Sequence, residues 1–177
     1  MTSDAGLTAP DVRIGGRRVL LAPHNCFACG TLNTHGLQLE LHAGGERCWT
    51  ELSLDQRFEG WEGIAHGGIL CTILDEVMAW ALVDHDLWGV TARMTVDFKR
   101  PVQVGRPIIG EGRVVAVRRR LVDAEGLILD AVDRSVLARA TATYVGAPED
   151  RKRELKARYA FRIEPDAEDT TGLVDGA

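Results

Sequence analysis

Serine is scarce in this 177-residue chain: Ser3, Ser53 and Ser135 are its only three, and no Gly-x-Ser-x-Gly occurs, so a serine-triad hydrolase has no nucleophile here. Cations are not in excess either. With 21 Lys and Arg against 26 Asp and Glu the net charge is -5, which excludes a general polyanion binder, because affinity for a phosphate backbone comes from surplus Lys and Arg. Nucleic acid is therefore not an expected partner. No apolar run reaches the roughly 18 uninterrupted residues a membrane span needs; the most apolar segment, Ile69 to Val83, carries Asp75 and Glu76 in its middle, so a membrane is not expected as a partner. The start, Met1-Thr-Ser-Asp-Ala-Gly, lacks the basic residues and apolar core of a secretory signal, which points to the cytoplasm and to four reduced cysteines. Gly110-x-Gly112 lacks the third glycine of a dinucleotide fingerprint and no phosphate-loop lysine motif is present, so no nucleotide cofactor is implied.

What remains is the composition of one folded domain, 45% apolar and 27% charged. Residues 1–22 read as an N-terminal extension, 23–147 as the domain, and 148–177 as a charged helix or tail that opens with Glu149-Asp-Arg-Lys-Arg-Glu154. Gly36 to His42 alternates Leu37, Leu39 and Leu41 with Gln38, Glu40 and His42; with the Gly44-Gly45 turn and the run Arg47 to Leu54 it predicts a β-hairpin. Gly68 to Leu82 is apolar on nearly every side and predicts a buried helix of about four turns. Further β-rich stretches cover Val90 to Phe98, Ile108 to Val132 with a turn near its middle, and Val136 to Val145, separated by Pro101, Gly105 and Pro107 and by Asp133-Arg134-Ser135. This order is an α+β pattern, an antiparallel sheet wrapped around one long helix. One helix leaves a sheet face or edge short of cover, so self-association is expected.

The chemistry concentrates in Ile64-Ala-His66-Gly67-Gly68-Ile-Leu-Cys-Thr-Ile-Leu-Asp75-Glu76. Two glycines at a helix start admit a ligand close to the backbone, and first-turn amides lack partners within the helix. Such amides suit an oxyanion, the charge that develops on a thioester carbonyl under attack by water. Asp75, nine residues after His66 inside an apolar helix, is expected to be buried, which raises a carboxyl pKa and makes a stronger base or nucleophile. The plainer reading of the same residues is structural: Asp75 bonds nearby backbone, the glycines give helix packing, and His66 is a cap.

His66-Gly67-Gly68 with an acid nine residues on resembles the hotdog-fold thioesterases of the phenylacetate-pathway type. Thr91-Ala-Arg-Met-Thr-Val-Asp-Phe-Lys-Arg-Pro101 is similar to the strand that follows the helix in that family, and His24-Asn-Cys-Phe-Ala-Cys-Gly30 with Asn33-Thr-His-Gly-Leu37 resembles the opening of one branch. The likeness covers about 120 residues. It implies a hotdog fold and an acyl-CoA substrate hydrolysed to acid and free thiol. It also implies that the Gly67 amide polarises the carbonyl, His66 sets the loop, Asp75 is general base or nucleophile, and Thr91 positions water. In the family the acid reaches the carbonyl from a partner subunit, so a homodimer or a dimer of dimers is implied, with no metal or cofactor. Gly68, Trp61, Glu76 and Arg100 are the expected substrate contacts. Some relatives carry Asn or Gln six residues before the His, where this chain has Gly60.

Other groups keep more than one reading. Cys26-x-x-Cys29 with His24, and His35 or Cys48, offers zinc-ligand types, but a second ligand pair at regular spacing is missing, so a packed loop is the expected role and a redox pair a further alternative. Arg118-Arg119-Arg120, Lys99 and Arg100 suit either coenzyme A phosphates or a solvated turn. Trp61, Trp80 and Trp88 suit an acyl pocket or the core. A non-catalytic hotdog dimer that binds an acyl or aromatic ligand keeps the fold with Asp75 as a structural residue.

Overall fold

The computed structural model describes residues 17–160 and 162–165. In chain order the elements are β1 (Arg17–Leu20), β2 (His42–Gly44), β3 (Arg47–Ser53), β4 (Glu59–Trp61), β5 (Ile64–Ala65), α1 (Gly67–Ala81), β6 (Gly89–Phe98), β7 (Pro107–Arg118), β8 (Leu121–Asp130), β9 (Val136–Gly146), α2 (Glu149–Tyr159) and β10 (Arg162–Pro165). Eight strands form one antiparallel sheet in the order β10-β1-β2-β3-β7-β8-β9-β6, and β4 pairs with β5 in a separate ribbon that leads into α1. Helix α1 lies against this sheet, which is the α+β architecture expected. Among the described residues no helix is long and apolar enough to cross a membrane.

Periodicity explains the packing. Along β9 the residues Ala138, Ala140, Ala142 and Tyr144 are buried while Arg139 and Thr141 are exposed, and β8 buries Val122, Ala124, Gly126 and Ile128 on the same face. Against that face α1 turns Leu70, Ile73, Leu74, Val77, Met78 and Ala81, all buried. The opposite flank of the helix, with Cys71, Thr72, Asp75, Glu76, Ala79 and Trp80, is only half-buried. The expectation of a helix buried all round is thus corrected: one chain supplies sheet for one side only, and the other side lies beside β6.

Gly112 sets the depth of the helix seat. A Cβ there would stand 2.5 Å from the Val77 carbonyl and the Met78 amide, so a side chain at this position would lift α1 off the sheet. The Gly110-x-Gly112 pair is therefore a packing notch.

Strands β1 and β10, in the segments read as extension and tail, join the sheet, and the leucine run departs from the sequence reading as well. Gly36 to His42 is not a strand; only His42–Gly44 enters the sheet, and the hairpin turns at Gly45 and Glu46, both at positive φ (61° and 63°). Gln38 sits at φ 49°, which interrupts any extended run, and the Leu37 and Leu39 amides bond the carbonyls of Phe27 and Ala28 at 2.8 and 2.9 Å. The leucine alternation still marks burial of Leu39 and Leu41, but its ladder is with the cysteine loop.

Helix α1 runs on into a 3-10 turn (Leu82–His85) capped by left-handed Asp86. The Asp86 carboxylate receives Lys152 Nζ at 2.7 Å and also pairs with Lys156, fastening α2 to this corner.

Candidate active site

Two clusters of polar groups use helix α1. The first begins where the β4–β5 ribbon delivers His66 in extended backbone (φ -64°, ψ 132°) as the N-cap. Its Nδ1 accepts the Gly68 amide at 2.9 Å, and its carbonyl accepts the Ile69 amide at 2.9 Å. His66 is thus a cap, as the structural reading of these residues has it: capping satisfies Gly68 and Ile69 from outside the helix, while the Gly67 amide has no partner among the described residues. The ring of Phe98 lies over Gly67, with Cζ 3.3 Å from where a Cβ would stand. Gly60 backs His66 closely: a Cβ would meet the His66 Cα at 3.0 Å.

Asp75 lies eight residues further along α1, about 12 Å from Gly67 at 1.5 Å per residue. Thr91 on β6 donates its hydroxyl to Asp75 Oδ1 at 2.6 Å, and Tyr144 on β9 donates to the same oxygen at 2.9 Å and to the Asp75 carbonyl at 3.0 Å. Two neutral donors hold one carboxylate oxygen, and the other has no partner among the described residues. Burial, and then the charge of Asp75, pushes the Tyr144 phenol well above its ordinary range, so it stays a donor. Asp75 itself is half-buried, not enclosed as expected, because it lies on the helix flank next to the edge strand β6. Tyr144 escaped the sequence reading. Its signal was position: an aromatic with a hydroxyl ending the inward-facing row Ala138, Ala140, Ala142.

Asp75 and Thr91 are thus brought together, and His66, Gly67 and Gly68 form a second group at the helix start. Trp61 is not with either: it projects from β4 with 83% exposure. Arg100, just beyond β6, is exposed, and its amide donates to Leu137. Arg119 (φ 57°) and Arg120 make the β7–β8 turn, with Arg120 Nε on the Gly146 carbonyl at 2.9 Å and Arg118 paired to Asp123 at 3.3 Å, so the arginine run is a solvated hairpin tip.

Glu76, one residue after Asp75 and about 100° round the helix, faces elsewhere. Trp80 Nε1 donates to its Oε1 at 2.8 Å, and Cys26 Sγ lies 4.0 Å from its Oε2. Burial pushes the Glu76 carboxyl up to about 7. Bonding from the Cys29 side chain first draws the Cys26 thiol down to about 5, whereas the Cys26 side chain and burial hold Cys29 far above the thiol range. His24, Cys26 and Cys29 present ligand atoms that all lie within 4.8 Å of one another. His35 and Cys48, the other candidate ligands, are not in this group: His35 is exposed in its loop and Cys48 is buried in β3. Trp80 and Trp88 meet edge to face, 5.7 Å apart, over the same cavity of about 290 Å³.

The profile of the thioesterase superfamily matches residues 62–137, which include the helix start, Asp75, Thr91 and Phe98. A stretch of 87 residues, 49% of this chain, is 30% identical to acyl-coenzyme A thioesterase THEM4 of Xenopus laevis; it spans only 39% of that protein. Among solved structures, the E. coli PaaI protein from the phenylacetic acid degradation operon superposes with a TM-score of 0.55 at 17% identity over 58% of this chain and 74% of its own. A hypothetical thioesterase from Streptococcus pneumoniae, solved with coenzyme A, superposes at 0.55 with 19% identity over 57% and 81%.

Proposed function

We propose that this chain is a thioesterase of the hotdog type that hydrolyses an acyl-CoA thioester to a carboxylic acid and free CoA thiol, a reading supported by its fold and by the thioesterase-superfamily profile match around α1. The observation that carries this reading is the Asp75 carboxylate, bonded on one oxygen by Thr91 and Tyr144 and without a partner among the described residues on the other. Asp75 is the general base or nucleophile. As general base it takes a proton from water while the oxygen bonds the thioester carbonyl carbon; the oxyanion so formed rests on the Gly67 amide, and its collapse expels the thiolate, which recovers a proton. His66 fixes the helix start by capping Gly68, and Thr91 holds the carboxylate and the water beside it.

Gly67 and Asp75 lie about 12 Å apart on one helix, too far to act on one carbonyl. The site is therefore completed by a second copy, with the Asp75 of one protomer facing the Gly67 of the other. Support comes from β6, the terminal strand of the sheet, which exposes Val90 and Phe98 along its length. Gly68 and Arg100 are assigned to substrate binding at this junction, with Arg100 placed for the CoA phosphates.

The test is thiol release from short, medium, long and aromatic acyl-CoAs by wild type and by Asp75→Asn at matched concentration, with sedimentation to give the assembly. Turnover by the wild type that Asp75→Asn abolishes, in a dimer or larger, supports the reading. Saturable thioester binding without turnover contradicts it and leaves a ligand-binding hotdog dimer.

A further inference from the structure

The segment from His24 to Gly30 is the part of the molecule that thioester hydrolysis leaves unused. We propose that His24, Cys26 and Cys29, closed by the Glu76 carboxylate from helix α1, form a structural zinc site that clasps the cysteine loop onto the helix.

The spacing fits the ion. A tetrahedral zinc with Zn–S near 2.3 Å and Zn–N near 2.0–2.1 Å sets its sulfur and nitrogen ligands about 3.5 Å apart and two sulfurs about 3.8 Å apart. Cys29 Sγ and His24 Nε2 stand 3.4 Å apart, and the three ligand atoms fall within 4.8 Å of one another before any ion draws them in. Glu76 Oε2 stands on the helix side, 4.0 Å from Cys26 Sγ but outside the 4.8 Å group, so it moves inward to complete the tetrahedron. Cys, Cys, His and a carboxylate are ligands zinc accepts, and two thiolates make the set selective against magnesium and calcium.

The surroundings are those of a ligand set already oriented. His24 Nδ1 lies 2.9 Å from the Ala22 carbonyl, which assigns the proton to Nδ1 and leaves the Nε2 lone pair toward Cys29. Its ring also packs edge-on to Tyr159, with centroids 5.1 Å apart. Trp80 holds the other Glu76 oxygen at 2.8 Å. The loop closes with Gly30, whose amide reaches the Cys26 carbonyl at 3.0 Å and where a Cβ would meet the Cys26 backbone at 2.4 Å, so the tight turn that places both sulfurs requires glycine. Zinc takes both sulfurs as thiolates, so its binding displaces the proton that Cys29 holds beside His24.

The fourth ligand is what the sequence pattern hides. A second pair of Cys or His at regular spacing is missing because the remaining donor comes from the helix some fifty residues on (|i−j| = 50 between Cys26 and Glu76). Asp75 and Glu76 then divide α1 between two tasks.

The test uses the full chain, purified from zinc-supplemented cells without chelator and passed through buffer exchange. Elemental analysis is expected to find close to one zinc per chain. Cobalt exchanged into the site is expected to give the intense visible bands of a tetrahedral ion together with near-ultraviolet thiolate charge-transfer absorption, the latter of which a site built of oxygen and nitrogen alone does not give. Cys29→Ser and Glu76→Gln are each expected to lower the retained zinc at least tenfold, and Cys48→Ala to keep it. Because the cysteine variant can fail to fold, the cobalt spectrum of the wild type stands as the independent readout. Zinc far below one per chain with no thiolate band overturns the proposal, as does a Cys26–Cys29 disulfide in freshly purified protein or zinc retained equally by Cys29→Ser.

Discussion

Asp75 and Glu76 are adjacent carboxylates on one helix, yet their surroundings share almost nothing. Asp75 faces β6 and β9 on a half-buried flank, where two hydroxyls donate to one oxygen and the other has no partner among the described residues. Glu76 faces the cysteine loop, where an indole and a thiol surround it and burial lifts its carboxyl to about 7. A helix turns about 100° per residue, so neighbours in sequence belong to different sides of the molecule. The lesson is that an acid in an apolar helix earns a role from what faces it rather than from how deep it lies.

The largest expected effect separates the two acids directly. Asp75→Asn keeps the shape and removes the proposed base, and turnover is expected to fall on the order of 10²- to 10⁴-fold, with little change in melting temperature. Glu76→Gln is expected to act the other way: retained zinc and melting temperature fall, and turnover falls less than in Asp75→Asn. Thiol release and calorimetry on both variants check the pair, and an equal loss of turnover would erase the distinction.

Tyr144→Phe sharpens the comparison on the Asp75 side. It leaves the buried ring and removes a donor shared by the carboxylate and the Asp75 carbonyl, so a stability loss of about 0.5–1.5 kcal/mol is expected, with a several-fold fall in kcat; urea denaturation and steady-state kinetics measure both. The smallest effect comes from a third acid, Asp130, which is distant from the helix. Arg106 beside it, together with the Val132 and Asp133 amides, holds its carboxyl below the usual range. The sign follows from the lowered folded pKa: the stabilisation is present above the unfolded pKa of about 3.9 and disappears as pH falls through the lower folded value. The stability advantage of wild type over Arg106→Gln is therefore expected at neutral pH and should vanish in acid, whereas a difference unchanged down to low pH would contradict the pairing.

Much of the fold was legible because its signals are periodic. The strands β6 to β9 and the single helix followed from alternation, apolar length and turn residues, each within a residue or two of the observed bounds. The run Gly36 to His42 misled because leucine alternation reports burial, whereas the strand was prevented by Gln38 at positive φ and by bonding to the cysteine loop. At the candidate site, His66, Gly67 and Asp75 stood out through spacing. Tyr144 did not, since a tyrosine on a strand is ordinary core until the register sets it opposite Asp75. Likewise Glu76 read as a neighbour of Asp75, and only the placement of the loop gave it Cys26 as a companion.

The central claim, that hydrolysis needs the Asp75 of one copy and the Gly67 amide of another, is tested most directly by subunit complementation. Gly67→Pro deletes the amide donor at the first helical position, where proline fits the helix and the extended His66 before it and the Phe98 ring gives way by a few tenths of an ångström, and alone it is expected to lower kcat by about 10²–10³. Co-expressed with Asp75→Asn, it forms hybrid dimers in which one site carries both defects and the other neither. The account predicts that thiol release returns to about a quarter of wild type, since half the dimers are hybrids with one intact site of two. Activity no greater than that of the two variants measured apart would contradict a shared site.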